Sequence, residues 1–344
     1  MNEGTNIAAR RQIALWLFGV SALIFLMVIV GGLTRLTESG LSITEWKPVM
    51  GALPPMSNAA WADAFTRYQQ IPQYEFVNKG MTLGEFKNIF WWEWSHRFLG
   101  RFIGFAFAAP FLWFFFTRRI ERTMAPKLVV MFLLGGAQGA LGWWMVKSGL
   151  TQRIDVSQYR LTAHLGLATL IYAYMMWTAL ALWRERPALF VSDRLRKASL
   201  WLVALVFLQM MLGGFVAGLK AGYIYNTWPL ISGAFIPDGL FADAPWWRNF
   251  FENTLTAQFD HRMVAYLVTI LTIWHWLAVR RSGSRDAVRS ATALLHAVLA
   301  QVALGIWALL WVVPIPLGAA HQAGAMIVFT LAIYHARKLN PPAV

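Results

Sequence analysis

A chain of 344 residues in which 58% of the side chains are hydrophobic, 13% are charged and 19 are tryptophan is too apolar for a soluble globular domain and reads as a polytopic membrane protein. The formal charge of +14 invites comparison with nucleic-acid binders, but the basic residues form no single patch or tract, so nucleic acid is not a partner. With no cysteine, disulfides, c-type haem attachment, iron–sulfur clusters and thiolate-ligated haem are excluded, and any metal must be held by His, carboxylate or Met.

Eight apolar runs, each near the roughly 20 residues that cross a bilayer, cover 13–33, 96–116, 125–146, 161–183, 198–219, 261–279, 290–312 and 318–336. Basic residues flank alternate ends of these runs. Arg10 and Arg11 precede the first; Arg118, Arg119, Arg122 and Lys127 follow the second; Arg184, Arg186, Arg194, Arg196 and Lys197 follow the fourth; Arg280, Arg281, Arg285 and Arg289 follow the sixth; Arg337 and Lys338 end the eighth. By the positive-inside rule these segments and both termini are expected in the cytoplasm. The dozen residues before the first run leave no room for a mitochondrial presequence, and no small-residue cleavage site follows it, so a bacterial inner membrane is expected.

The runs repeat. "GGLTRLTESGLSITEWKP" from Gly31 is echoed by "GGFVAGLKAGYIYNTWP" from Gly213, with Gly40 and Gly222, and Trp46 and Trp228, at one constant offset. "QGALGWW" from Gln138 is echoed by "QVALGIW" from Gln301. The expected fold is therefore all-α, with eight transmembrane helices arranged as two tandem four-helix bundles, 1–190 and 191–344. Four spans separate equivalent helices, so the halves share one orientation and are related by a pseudo-twofold along the membrane normal. Each half carries a long outer loop, 34–92 and 220–259, of a length that usually has a function.

Histidine turns the repeat into chemistry. His96 ("WSHR") and His261 ("FDHR") open the second and sixth runs; His164 ("LTAHLG") and His321 ("GAAHQAG") open the fourth and eighth. All four fall at one depth, near the periplasmic side. Paired imidazoles offered from opposite sides are what six-coordinate haem iron needs, and bundle cores are where such cofactors sit; interfacial anchoring of each His is the alternative. Zinc fits less well, since there is no HExxH and no third close ligand. Glu93 and His96 make one Glu-x-x-His, but a di-iron site needs a second copy and two more carboxylates, which Asp260 beside His261 does not supply.

Arg97 and Arg262 each directly follow the first histidine of their half. Two readings stand: bidentate contacts to haem propionates, or headgroup arginines, with Arg97 paired to Glu93 one turn away. Glu93 has Gln258 as its counterpart in the second half, an asymmetry that points to a reaction in the first half only.

Together, "GGLTRLTESGLSITEWKPVMGALPP", "FWWEWSHRFLGR", "TAHLGLA", "FDHR" and "AAHQAGA" resemble the haem A synthase family, in its Gram-negative and mitochondrial form without a cysteine pair in the first outer loop. The resemblance covers essentially the whole chain. It implies oxidation of the C8 methyl of haem O to the formyl group of haem A by successive hydroxylations, for haem-copper terminal oxidases. It implies haem b as cofactor, with His261 and His321 as its axial ligands and Arg262 at a propionate; His96, His164 and Arg97 at the haem O substrate; and Glu93 as the catalytic carboxylate. It also implies haem O synthase and cytochrome c oxidase assembly factors as partners, beside the lipid bilayer.

The rival reading is an electron-transfer cytochrome b with two bis-His haems and no chemistry of its own. His275 and His335 lie fourteen residues after His261 and His321, a spacing that returns near the same helix face about 21 Å further along. Against it, Pro110 and Thr178 stand at the matching positions of the first half. His296 receives no role from the sequence.

Overall fold

The computed structural model describes residues 3–47, 50–151, 153–183 and 191–340; Arg184 and Arg186 of the basic segments lie outside them. The chain runs through helices α1 (Glu3–Leu36), α2 (Asn58–Tyr68), α3 (Pro72–Phe76), α4 (Leu83–Phe116), α5 (Ala125–Lys147), α6 (Gln158–Leu182), α7 (Asp193–Gly218), α8 (Asn249–Glu252), α9 (Thr254–Arg280), α10 (Arg285–Leu310) and α11 (Ile315–Leu339). Eight of these (α1, α4, α5, α6, α7, α9, α10 and α11) are long and apolar enough to cross a membrane, matching the eight apolar runs. The protein is an all-helical, multi-pass membrane protein. Among the described residues the only strand-like pairing is an isolated bridge between Ile231 and Ala234.

The largest departure from the sequence reading is the start of α4. The apolar run begins at His96, but the helix begins at Leu83, about three and a half turns earlier. Thr82 closes a capping box: its Oγ1 accepts from Glu85 N at 3.3 Å, and the Glu85 carboxylate accepts from Thr82 N at 2.8 Å. Two of the otherwise orphaned amides of the first turn are thereby satisfied. His96 therefore does not open its helix; it sits mid-helix, above an N-terminal extension.

The chain divides into two compact units, Ala22–Ala168 and Met1–Ser21 with Thr169–Val344. In the first, the α4 extension and the outer loop share an aromatic core in which Trp61, Tyr68, Ile71, Phe86 and Phe90 are buried together with Leu41. Trp61 meets Phe90 edge-on at 4.8 Å. Tyr68 Oη donates to Gln73 Oε1 at 3.1 Å, and Gln73 Nε2 donates to the Glu38 carbonyl at 3.1 Å, tying α2 and α3 to the end of α1. Burial pushes the Tyr68 phenol above its usual range.

In the second unit, α7 packs on α9 and α11, and α10 packs on the same two helices, closing a four-helix ring. Val206, Met210, Val268, Leu294, Val298, Met326 and Phe329 fill it. Large apolar side chains that remain exposed, such as Trp201, Phe105 and Phe116, suit a lipid surface, where there is no gain from hiding them.

Candidate functional site

His261 of α9 and His321 of α11 face each other inside the closed ring. Their ring centroids are 6.5 Å apart and the planes cross at 77°. Space for each imidazole comes from a glycine on the neighbouring helix: a methyl placed at Gly213 of α7 would lie 3.2 Å from His261 Cε1, and one at Gly305 of α10 only 2.7 Å from His321 Cε1. One turn before each glycine stands a glutamine. Gln209 Nε2 donates to the His261 carbonyl at 2.9 Å and lies 3.0 Å from its Nδ1; Gln301 Nε2 donates to the His321 carbonyl at 2.8 Å and lies 3.1 Å from its Nδ1. Residues four apart share a helix face, so Gln-x-x-x-Gly forms one histidine socket.

The other unit carries the same device once in full. His164 of α6 meets Gln138 and Gly142 of α5: Gln138 Nε2 donates to the His164 carbonyl at 3.0 Å, with Nδ1 at 3.2 Å, and a methyl at Gly142 would lie 2.9 Å from His164 Cε1. His96 of α4 packs on Gly31 of α1, where a methyl would lie 3.1 Å from Nε2. The residue one turn before Gly31 is Met27. His96 and His164 are close enough to interact electrostatically. Sequence reasoning used "QGALG" and "QVALG" only as marks of the repeat; the recurrence of Gln and Gly four apart in α5, α7 and α10 was the signal that could have found the sockets.

The arginines after the first histidines hold the outer loops. Arg97 Nη2 donates to the Ile43 carbonyl at 2.7 Å and Nη1 to the Glu45 carbonyl at 3.0 Å; Arg262 Nη2 donates to the Tyr225 carbonyl at 2.9 Å and Nη1 to the Thr227 carbonyl at 2.8 Å. Ile43 and Tyr225, and Glu45 and Thr227, are related by the same offset as Gly40 and Gly222. Glu93, buried, accepts from Arg97 Nε and Nη2 at 3.0 and 2.6 Å through one oxygen, and from Ser42 Oγ and Ile43 N at 2.8 and 2.7 Å through the other. Its counterpart Gln258 accepts from Arg262 Nη2 at 2.7 Å and donates to the Ala221 carbonyl at 2.9 Å. Glu93 thus accepts from four donors at the point where its loop closes onto α4.

His275 and His335 do not flank an iron. Their Nε2 atoms are 2.9 Å apart and their ring centroids 5.1 Å apart, too close to stand on opposite faces of one haem, where two bonds of about 2 Å would part the nitrogens by about 4 Å. Ser290 Oγ lies 2.8 Å from His335 Nδ1 and within reach of the Asp286 and Ala287 carbonyls of its own helix at 3.2 and 3.1 Å. One of the two Nε2 atoms donates to the other, and His275 Nδ1 is buried with no hydrogen-bond partner among the described residues. The second haem expected on the cytochrome reading has no place in this pair. No group of three or more His, Cys, Asp or Glu able to hold a metal ion occurs among the described residues.

Fold and site together define a class: a multi-pass membrane protein with half-buried, paired imidazoles set in repeated glutamine–glycine sockets. Comparison with known proteins makes this specific. Residues 14–333 match the COX15-CtaA family, cytochrome oxidase assembly protein, and the chain belongs to that family. It is 61% identical over 332 residues to Heme A synthase of Parvibaculum lavamentivorans, covering 96% of this chain and 95% of the relative. It is 54% identical over 335 residues to Heme A synthase of a Bradyrhizobium species (96% and 92%), and 53% identical over 333 residues to Heme A synthase of Nitrosospira multiformis (96% and 94%).

Proposed function

We propose that this chain, like the relatives it matches, is a haem A synthase: an oxidoreductase that converts the C8 methyl of haem O to the formyl group of haem A. His261 and His321 hold haem b, and His96 and His164 receive haem O. The observation that carries the reading is the 6.5 Å between the His261 and His321 rings. Two metal–nitrogen bonds of about 2 Å plus about 1.1 Å from each nitrogen to its ring centre would give about 6.2 Å. Haem b supplies a redox-active iron at that point.

The remaining roles belong to side chains of this chain. Glu93, one turn from His96 on α4, takes up protons released as the methyl is oxidised, while Arg97, Ser42 and the Ile43 amide hold it in place. Arg97 and Arg262 close the outer loops and offer their spare N–H groups to propionates; Arg262 Nε, buried and without a partner among the described residues, supports this. Residues 1–190 form the substrate half and 191–344 the haem b half. Alternation of the basic segments supports cytoplasmic termini in a bacterial inner membrane, with the histidines near the periplasmic side. Haem O synthase supplies the substrate and assembly of a haem-copper oxidase consumes the product.

Haem extraction from cells making the chain with and without haem O synthase tests the activity: haem A should appear only when both are present. His261→Ala or His321→Ala should abolish the low-spin haem b spectrum. A variant with wild-type spectrum and haem content removes that residue from the ligand set.

A further inference from the structure

We propose that Gln138, Gln209 and Gln301 are positioning residues that lock their histidines for iron, and that Met27, standing where the fourth glutamine would be, makes His96 the releasable ligand of the substrate site. The proposal rests on the functional reading above and divides its four histidines into three fixed and one free.

The orientation of each glutamine amide is set by its surroundings. Only the NH2 group can donate to the histidine carbonyl, at 3.0, 2.9 and 2.8 Å for Gln138, Gln209 and Gln301, so Oε1 is the other atom of each head. All three Oε1 atoms are buried and have no hydrogen-bond partner among the described residues. One orphan acceptor is an accident; three at equivalent positions beside histidines are a built feature, because an unpaired buried acceptor is costly. An imidazole that ligates iron through Nε2 carries its proton on Nδ1 and needs an acceptor there. Nδ1 lies 3.0 to 3.2 Å from the amide nitrogen of the same head, which for Gln138 and Gln209 is also 3.4 and 3.3 Å from Nε2, so a turn of the ring is needed to bring Nδ1–H onto Oε1. The carbonyl and Nδ1 of one histidine are then held by the two ends of one amide, which fixes the tautomer, the ring and the ligand's basicity.

His96 differs twice. A thioether at Met27 is at best a weak acceptor. The His96 ring also turns Nε2 and Cδ2 towards its glycine, Gly31, whereas His164, His261 and His321 turn Cε1 towards theirs. The haem b site therefore has two braced ligands and the substrate site one braced and one unbraced. Residues three apart share a helix face, so the iron position that His96 can vacate opens beside Glu93.

The test uses the full-length protein in detergent, from cells with and without haem O synthase, and carbon monoxide as the probe, since it enters only at a vacated axial position of reduced haem. Haem O in the wild-type protein should bind carbon monoxide and haem b should not. Met27→Gln should weaken carbon monoxide binding at haem O about tenfold or more, the usual scale of a second-sphere contact. At the haem b site Gln209→Met should shift the reduction potential positive, because the ligand becomes less basic, and Gln209→Glu should shift it negative; a residue that only fills space gives no opposite signs. The repeat already accepts methionine at this position, as Met27, and the same pair of changes at Gln301 is a second copy of the test. Unchanged carbon monoxide affinity in Met27→Gln, or potentials that do not separate between the Met and Glu variants, overturns the proposal. Absence of haem b from the wild-type protein would instead sink the functional reading on which it stands.

Discussion

Replacing Gly305 by alanine probes the histidine socket by steric size alone. The added methyl would sit 2.7 Å from His321 Cε1 and 3.2 Å from Nδ1, against ordinary carbon contacts of about 3.5 Å, so the ring must retreat by about 0.8 Å. Metal–ligand distances tolerate about 0.2 Å. Overpacking of this kind costs about 1–3 kcal/mol, or about 5- to 140-fold in haem b retention. At Gly213 the methyl would lie 3.2 Å from His261 Cε1, which asks for a retreat of only about 0.3 Å, and the loss should be a few-fold. Gly19 has nothing within 4 Å, so Gly19→Ala should retain haem normally. The assay is haem b per protein, by pyridine haemochrome, after detergent purification and competition with apo-myoglobin. If Gly213→Ala loses as much haem as Gly305→Ala, the sockets do not set ring position and the reasoning fails.

Glu93→Gln keeps size but puts an amide NH2 against donors, and should leave the haem b spectrum intact while haem A formation stops; haem A made at the wild-type rate would reduce Glu93 to a loop anchor. His275→Ala and His335→Ala should leave haem content unchanged and lower thermal stability by about 1–3 kcal/mol through the unpaired buried nitrogen left behind; loss of a haem from either variant would reinstate the two-haem reading. Tyr68 has its phenol pushed up by burial, so the unfolded chain ionises first and the loop core should weaken as pH rises past about 10. Tyr68→Phe should remove that alkaline sensitivity, measured as protease resistance of the outer loop; an unchanged pH profile would show that another group sets it.

The eight spans were legible because membrane helices must be apolar over their whole length, a signal that needs no tertiary information. The start of α4 was not, since "LGEFKNIFWWEW" is polar enough to fall outside an apolar run, and its helicity depends on the Thr82–Glu85 box and on an aromatic core assembled with α2. The pairing of His261 with His321 followed from the repeat. His275 and His335 show the limit of the same logic: fourteen-residue spacing puts them on the right faces, but whether two imidazoles bracket an iron or bond to each other is decided by a gap of a few ångströms between helices. Arg97 and Arg262 were read as rim cations because sequence shows charges and not the backbone carbonyls that receive them.

Those carbonyls say something about how the two outer loops could diverge. Arg97 and Arg262 address the main chain at Ile43 and Glu45, and at Tyr225 and Thr227, so the latch reads the path of the loop and is blind to its side chains. After a duplication, either loop was free to change residue by residue, from "SITEWKP" to "IYNTWP", while still closing at the same point. A latch of that kind lets one copy carry a glutamate, Glu93, at the closing point while its twin carries a glutamine, Gln258.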